Sequence, residues 1–289
     1  MRLGQRPNRQ SRVPGRLFQI LIALFLYAPI FIMVVFSFNA SKSRTQWTGF
    51  TLQWYRDLFH DTLVLESLYT TLTLAVLSAV IATVIGTAAA VGLHAMKRRP
   101  KHVMLTLNNI PVVNPDIITG VSFMLLFVVI INTLSALGGA FSLGFGTLLM
   151  AHISFNIPYV ILSVMPKLRQ LNKHLYEAAM DLGASPFRAF YKVILPEIMP
   201  GVTAGLMIAF TMSIDDFVIS YFTSGTEVQT LPVTIYAMTR KRISPEINAL
   251  STLMFLAVLL LLVFINLLQV RDAKRQERKE AAKSPRMRA

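Results

Sequence analysis

The segment EAAMDLGASPFRAFYKVILPEIMP, residues 177–200, is a polar interruption between two hydrophobic stretches of the chain. It carries residues that begin and end short helices. Gly183 suits the left-handed position that ends a helix, Ser185 offers an N-cap oxygen, and Pro186 suits the first helical position. The sequence therefore predicts a helix over residues 167–182, a sharp turn, and a second short helix.

The second helix is expected to end near Pro196, because the residue before a proline avoids the helical region. Ala178 and Ala179 leave a shallow surface that another protein can cover. Glu177 and Asp181 lie four apart on one helix face and can meet cations there. Local chemistry alone leaves two interpretations open: a hairpin built for docking, or an amphipathic loop on the lipid headgroups.

The composition places the chain in a membrane. Apolar residues make up 54% of the 289 residues and charged residues only 15%, whereas soluble domains carry about 25% charged residues. A spanning helix needs about 20 mainly apolar residues. Six spans are predicted, over residues 17–38, 68–96, 103–132, 143–165, 201–222 and 248–270. The first is too long for a signal peptide and is interrupted by Pro29.

The basic residues are divided unevenly between the segments that join these spans. Of the 28 lysines and arginines, 22 lie in the two termini and in the loops near residues 97–101 and 167–192. Because short loops rich in Lys and Arg stay in the cytoplasm, both termini and the 177–200 segment are expected there. The net charge of +14 is thus a topology signal, and nucleic acid is not an expected partner.

The predicted organisation has three parts in an all-α, six-span membrane protein. Residues 1–16 form a basic cytoplasmic arm, residues 17–270 form the transmembrane domain with the polar hairpin at about 167–200, and residues 271–289 form a basic cytoplasmic tail. Small residues recur every fourth position in two spans, where they predict close helix packing. These residues are Ser78, Ala82, Gly86, Ala90, Gly201, Gly205, Ala209 and Ser213.

The hairpin resembles the EAA loop of the permease subunits of binding-protein-dependent ABC importers. That pattern is E-A-A, three residues, G, nine residues, I-x-L-P, and Val193 replaces its isoleucine here. Four further motifs resemble the spermidine/putrescine permease subunits, and together they cover most of residues 20–270. They are LYAPIFIMVVFSFNASK (26–42), NPDIITG (114–120), SIDDFVIS (213–220) and ISPEINAL (243–250).

The resemblance implies a permease whose hairpin forms coupling helices that dock into a groove on a cytoplasmic ATPase. It implies a bacterial inner-membrane assembly of two permease chains, expected to be a heterodimer, two ATPase subunits that bind ATP and Mg²⁺, and an outside substrate-binding protein. The docking role then falls on Glu177, Ala178, Ala179, Gly183, Leu195 and Pro196.

Three carboxylates lie in or beside the predicted spans: Asp116, Asp215 and Asp216. A charge at membrane depth costs about 2.5–3.5 kcal/mol on insertion scales, so it normally faces a bundle interior or an aqueous cavity. A polyamine crossing the bilayer needs negatively charged hydrogen-bond acceptors, and the rings of Tyr221 and Phe222 can add cation–π attraction. These five residues are the candidate substrate pathway.

Other roles for these carboxylates stay open. Asp215 and Asp216 point about 100° apart on a helix, so one of them can instead form a buried hydrogen bond or lie at the membrane interface. Asp116 can cap the helix that follows Pro115.

The basic cluster Arg240–Lys241–Arg242 is expected on the outer face, the side of the membrane with fewer Lys and Arg residues. It is either solvated or pairs with a substrate-binding protein.

The chain lacks the G-x-x-x-x-G-K-[ST] phosphate loop, so it is not expected to hydrolyse ATP or to carry a cofactor. His94, His102, His152 and His174 lack metal-ligand spacing, so no metal is expected. We expect the permease subunit of an ATP-driven polyamine importer. The alternatives are a permease for another organic cation, a secondary cation transporter or channel that uses the same aspartates, and a membrane scaffold.

Overall fold

The computed structural model describes residues 12–41, 46–139, 141–172, 174–241 and 245–283, and its regular structure is helical. An isolated antiparallel β-bridge joins Asn39 to Phe50. The helices are α1 (Arg12–Phe36), α2 (Gln53–Leu58), α3 (Thr62–Ala95), α4 (Arg98–Val113), α5 (Asp116–Ala136), α6 (Phe145–Gln170), α7 (His174–Asp181), α8 (Pro186–Ala189), a π-helical turn (Phe190–Ile194), α9 (Leu195–Ile214), α10 (Val218–Thr223), α11 (Leu231–Lys241) and α12 (Pro245–Lys283).

Six helical segments of the described residues are long and apolar enough to cross a bilayer, which confirms the predicted fold class. They are Leu17–Phe36, Thr62–Ala95, Asp116–Ala136, Phe145–Gln170, Pro186–Ile214 and Pro245–Phe264.

The larger of two compact units comprises Thr62–Ala237 and Ala257–Ala289. Its centre is formed by α3, α6 and α9, and the predicted small-residue stripes lie there with every member buried. A Cβ added at Gly86 would lie 2.8 Å from Val160 Cβ, and one at Gly201 would lie 2.9 Å from the carbonyl oxygen of Ser163. The small residues therefore let three helix backbones approach closely.

A second group of contacts in the larger unit joins α5, α6 and α10. Phe127, Ala151, Phe155 and Ile219 form a buried apolar cluster between these helices. Gly120 lets α5 approach the α10 backbone, since a Cβ there would lie 3.3 Å from the Val218 carbonyl oxygen. This packing fixes the short helix α10, which carries part of the candidate site.

The smaller unit comprises Met1–Asp61 and Met238–Leu256. Asn39 organises the loop that follows α1. Its side-chain amide donates to the Gln46 carbonyl at 2.8 Å and accepts from the Thr48 amide at 3.0 Å, and the buried Trp54 indole donates to the Asn39 carbonyl at 2.8 Å. The Trp54 bond ties the loop after α1 to α2.

The predicted start of the third span, at residue 103, was wrong. Residues 103–132 do not form one helix, because Asn114, which precedes Pro115, takes an extended conformation with ψ of 138°. The break separates α4, which has no buried residues, from the membrane-length helix α5. The crossing helix consequently begins at Asp116.

The predicted helix over residues 167–182 is two helices. Asn172 interrupts it by capping α7, because its side-chain oxygen accepts the His174 amide at 3.1 Å. The expected end near Pro196 was also wrong. The π-helical turn passes the chain straight into α9, and the Leu195 amide bonds the Phe190 carbonyl five residues back. This wider turn accommodates a proline that has no N–H of its own.

The fifth span and the tail also end differently from the simplest expectation of six unbroken spans. The predicted fifth span, residues 201–222, is broken after Ile214, so Asp215 and Asp216 lie at a helix end rather than mid-helix. The described part of the tail continues α12 as helix to Lys283. Residues 1–11 of the basic arm and residues 284–289 lie outside the described residues, as does Arg242 of the 240–242 cluster.

Candidate functional site

The polar hairpin has the turn that its sequence predicts. Gly183 takes a φ of +83°, and its amide bonds the Met180 carbonyl at 2.9 Å while the Ala184 amide bonds the Ala179 carbonyl at 3.1 Å. This pair of bonds is a Schellman motif, which ends α7. Ser185 then caps α8 by accepting the Arg188 amide. The turn is thus fixed by backbone hydrogen bonds and sets the direction in which α8 leaves α7.

The six predicted docking residues divide into two groups. Glu177, Ala178, Gly183 and Pro196 are exposed and Ala179 is half-buried, as a docking surface requires. Leu195 instead packs against the buried core of the larger unit. Its position suits the joint between hairpin and bundle.

Large apolar side chains on the hairpin were not singled out by the sequence. Leu182 is 89% exposed, Phe187 76% and Tyr191 60%, and the last two rings stack with centroids 6.3 Å apart. Stacked and exposed aromatic rings on a polar hairpin are typical of an interaction surface. The signal was present in the sequence, as aromatic residues one helical turn apart on a polar hairpin.

The two predicted sets of acidic residues occur where helices are interrupted. Asp116 opens α5 directly after the break at Asn114–Pro115, and Asp215 and Asp216 occupy the break between α9 and α10. Gly120, one helical turn beyond Asp116, packs against the backbone of Val218, two residues beyond Asp216. The fold therefore brings acids from two broken helices into one region, where interrupted backbone normally lines a cavity.

The environments of the paired aspartates differ. Asp216 is largely buried, and its carboxylate accepts the Ser220 amide at 2.8 Å and the Ile219 amide at 3.3 Å. It therefore satisfies amide groups at the start of α10 that have no partner within the helix. Asp215 is exposed. The Asp216 carboxylate is consequently held in place by backbone amides, whereas the Asp215 carboxylate is open to a solute.

His152, considered from the sequence only as a metal ligand, contacts this site. Its side chain is fully buried, and Nε2 lies 3.1 Å from Ser220 Oγ and 3.5 Å from the Asp216 carboxylate. One turn further along α6, Asn156 donates to Ser213 Oγ at 2.8 Å, and Ser213 also bonds Ser78 at 3.0 Å. A buried polar seam thus follows α6 and ends at Asp216.

An aromatic cluster lies beside the exposed aspartate. The Phe217 ring centroid is 4.6 Å from that of Tyr236 and 5.5 Å from that of Tyr221, and Tyr221 lies 5.5 Å from Phe222. Tyr221 is 48% exposed and offers its face to a cation. Phe217 and Tyr236 were missed, because α11 is brought to α10 only by tertiary packing.

That packing is fixed by polar contacts between α3 and α11. Ser67 and Thr234 share a hydrogen bond of 2.6 Å, and the Leu231 amide donates to Thr71 at 2.8 Å. Arg240, of the predicted outer-face cluster, lies exposed near the end of α11. Within the described residues, no three His, Asp or Glu side chains converge closely enough to hold a metal ion.

Within the described residues, six membrane-length helices, acids at helix breaks and an exposed polar hairpin are features typical of membrane permease subunits. The sequence pattern of the family described as "Binding-protein-dependent transport system inner membrane component" matches residues 82–278, and the chain belongs to that family. It is therefore a multi-pass inner-membrane component of an ABC transporter and is not itself an ATPase.

Two curated relatives and one solved structure illustrate the similarity. The putrescine transport system permease protein PotI of Escherichia coli (strain K12) is 40% identical over 249 residues, covering 86% of this chain and 88% of the relative. The spermidine/putrescine transport system permease protein PotC of the same strain is 38% identical, covering 88% and 93%. A bacterial ABC transporter that imports alginate has the same fold, with a TM-score of 0.69, 18% identity and coverage of 91% and 96%.

Proposed function

We propose that this chain is the permease subunit of an ATP-driven importer of polyamines such as spermidine and putrescine. The observation that carries the proposal is 38–40% identity over most of the chain to two permeases that are named for these substrates. The site supports it chemically. A polyamine is a flexible polycation, and carboxylates beside exposed aromatic faces are the groups that attract one.

The proposed pathway residues are Asp116, Asp215, Asp216, Tyr221 and Phe222. Asp215 and Tyr221, which are exposed, contact the passing ammonium groups. Asp216 contributes negative charge from a fixed position, since two backbone amides hold its carboxylate. The ammonium group exchanges its hydration for these acceptors in turn.

The proposed assembly contains a second permease, expected to be a different but similar chain, together with two ATPases that bind ATP and Mg²⁺ and an external binding protein. Exposed Asp215 leaves one side of the pathway to be supplied by the second permease. Both termini and the hairpin face the cytoplasm, as the distribution of Lys and Arg favours.

Energy reaches the pathway through the hairpin. Closure of the ATPases moves α7 and α8, and the π-helical turn transmits this movement directly to α9, since no flexible loop separates them. The far end of α9 is Ile214, which immediately precedes the aspartate pair. One continuous helical path therefore connects the docking surface to the pathway acids, and its movement switches the pathway from outward-facing to inward-facing.

Reconstitution of the complete complex in proteoliposomes tests this function. Uptake of labelled spermidine is expected only with the binding protein outside and ATP on the ATPase side. Uptake that follows an ion gradient without ATP would instead identify a secondary transporter, and an assembled complex with no flux of any organic cation would identify a scaffold. Competition by putrescine and by a monovalent amine then defines the substrate class.

A further inference from the structure

A cavity of about 560 Å³ lies behind the hairpin, within the larger unit of the molecule. It is open on one side and is lined by the final turns of α3 and α6 and by residues of α7, α8 and the π-helical turn. Neither the docking surface nor the proposed pathway uses it. The volume is in the range of small-molecule binding sites.

The walls of this cavity are amphipathic. Val91, Leu168 and Ile194 form part of an apolar lining, and Arg169 and Asn172 contribute polar groups at the end of α6. A largely apolar lining that includes an arginine matches a molecule that has an acyl chain and an anionic head.

The position of the cavity fixes the kind of molecule that reaches it. α3 ends at Ala95 and is followed directly by the basic segment Lys97–Lys101, so these turns lie where hydrocarbon meets headgroups. Leu77, Val84 and Val91 recur every seventh residue and share one face of α3. Leu77 and Val84 are exposed apolar residues, so an exposed apolar stripe leads along α3 towards the cavity.

We propose that the cavity binds an anionic phospholipid, with its phosphate group at Arg169 and one acyl chain along the Val91 stripe. Basic pockets between transmembrane helices at this depth are suited to anionic headgroups. The lipid also contacts Phe190 and Pro186, which line the same cavity. It thereby supports the hairpin from behind, and hairpin rigidity depends on the anionic lipid content of the membrane.

The test uses the complete detergent-purified complex and native mass spectrometry. The retention of added phosphatidylglycerol is compared with that of phosphatidylcholine. Inorganic phosphate is added in a separate experiment as a competing anion without acyl chains. Arg169→Gln removes the cation, and its matched control is Arg99→Gln, at an exposed arginine of α4 outside the cavity lining. Ala95→Phe fills the cavity, and its control is Val129→Phe, at an exposed position on α5.

Wild-type complex is expected to retain phosphatidylglycerol in preference to phosphatidylcholine. Arg169→Gln is expected to lower that retention about fivefold, as the loss of one cation near anionic lipid predicts. Ala95→Phe is expected to lower retention of both lipids, and the two controls to retain lipid as the wild type does.

Four outcomes would overturn the proposal. Equal retention of the two lipids removes the role of charge, and an equal loss in Arg99→Gln shows general surface attraction. Full competition by inorganic phosphate shows an anion site without acyl recognition. Dissociation of the ATPase from Arg169→Gln and Ala95→Phe with lipid retention unchanged shows that the cavity is a protein socket.

Discussion

Replacement of Asp215 and Asp216 by alanine, one at a time, separates a structural role in holding α10 from a role in substrate transport. Asp216→Ala removes the acceptor of two backbone amides, at 2.8 and 3.3 Å, and the neighbour of a fully buried histidine. Asp215→Ala changes an exposed carboxylate at the same helix break. The matched pair differs in burial and in backbone contacts rather than in chemistry.

The magnitude follows from those contacts. Loss of a helix cap costs about 0.5–2 kcal/mol, and a buried donor left without an acceptor costs about 1–3 kcal/mol. Asp216→Ala is therefore expected to destabilise the larger unit by about 2–4 kcal/mol. For a chain of this size that loss lowers the melting temperature by about 3–7 °C.

Two measurements on the same preparations decide the outcome. The temperature at which the complex loses its size-exclusion peak is expected to fall for Asp216→Ala and to stay within about 1 °C for Asp215→Ala, since exposed substitutions change stability little. Initial spermidine uptake is expected to fall for both. A wild-type melting temperature for Asp216→Ala, or an equal loss for Asp215→Ala, would refute the division of roles.

Three further changes test other parts of the structure. Gly201→Ala places a methyl group 2.9 Å from the Ser163 carbonyl oxygen and is expected to destabilise the complex by about 1–3 kcal/mol. Gly92→Ala meets nothing within 4 Å and is expected to stabilise the complex by up to about 1 kcal/mol. Equal melting temperatures for the Gly201→Ala and Gly92→Ala complexes would contradict the close packing of α9 on α6. Gly183→Val forces a branched side chain into a φ of +83° and is expected to weaken co-purification of the ATPase, whereas Gly183→Asn retains it. Tyr221→Leu is expected to raise the KM for spermidine about two- to fivefold through loss of a cation–π face, Tyr221→Phe is expected to leave it unchanged, and an equal rise in both would show that the hydroxyl acts instead.

Local sequence chemistry predicted the hairpin turn and the close-packed helices. Gly183, Ser185 and Pro186 act through their own backbone and nearest neighbours, so their roles do not depend on distant residues. The small-residue stripes were equally predictable from the sequence, because small residues four apart lie on one face of a helix and make it flat. The family resemblance and the six-span fold class are confirmed by the family match and by the structure.

The site depended on contacts that no local pattern encodes. His152 meets Asp216 from 64 positions away in the chain because α6 packs beside α10, and Tyr236 meets Phe217 because two hydrogen bonds fix α11 to α3. The break after Ile214 was missed because the sequence there lacks proline or glycine. A buried aspartate that caps the next helix takes the place of those signals.

The π-helical turn was missed for a related reason. Pro196 predicts the end of a helix when only α-helical bonding is considered, yet bonding over five residues lets the helix continue. This continuity matters because it removes the loop that would otherwise separate the hairpin from α9.

Site-specific photo-crosslinking most directly tests the claim that the hairpin docks on the ATPase. The chain contains no cysteine, so Ala178→Cys gives a unique attachment point for a maleimide–benzophenone probe on the exposed hairpin. A cross-link to the ATPase is expected from Ala178→Cys and not from the control Met104→Cys, an exposed position on α4. Cross-linking from Met104→Cys but not from Ala178→Cys in an assembled, ATP-hydrolysing complex would contradict the docking role of the hairpin.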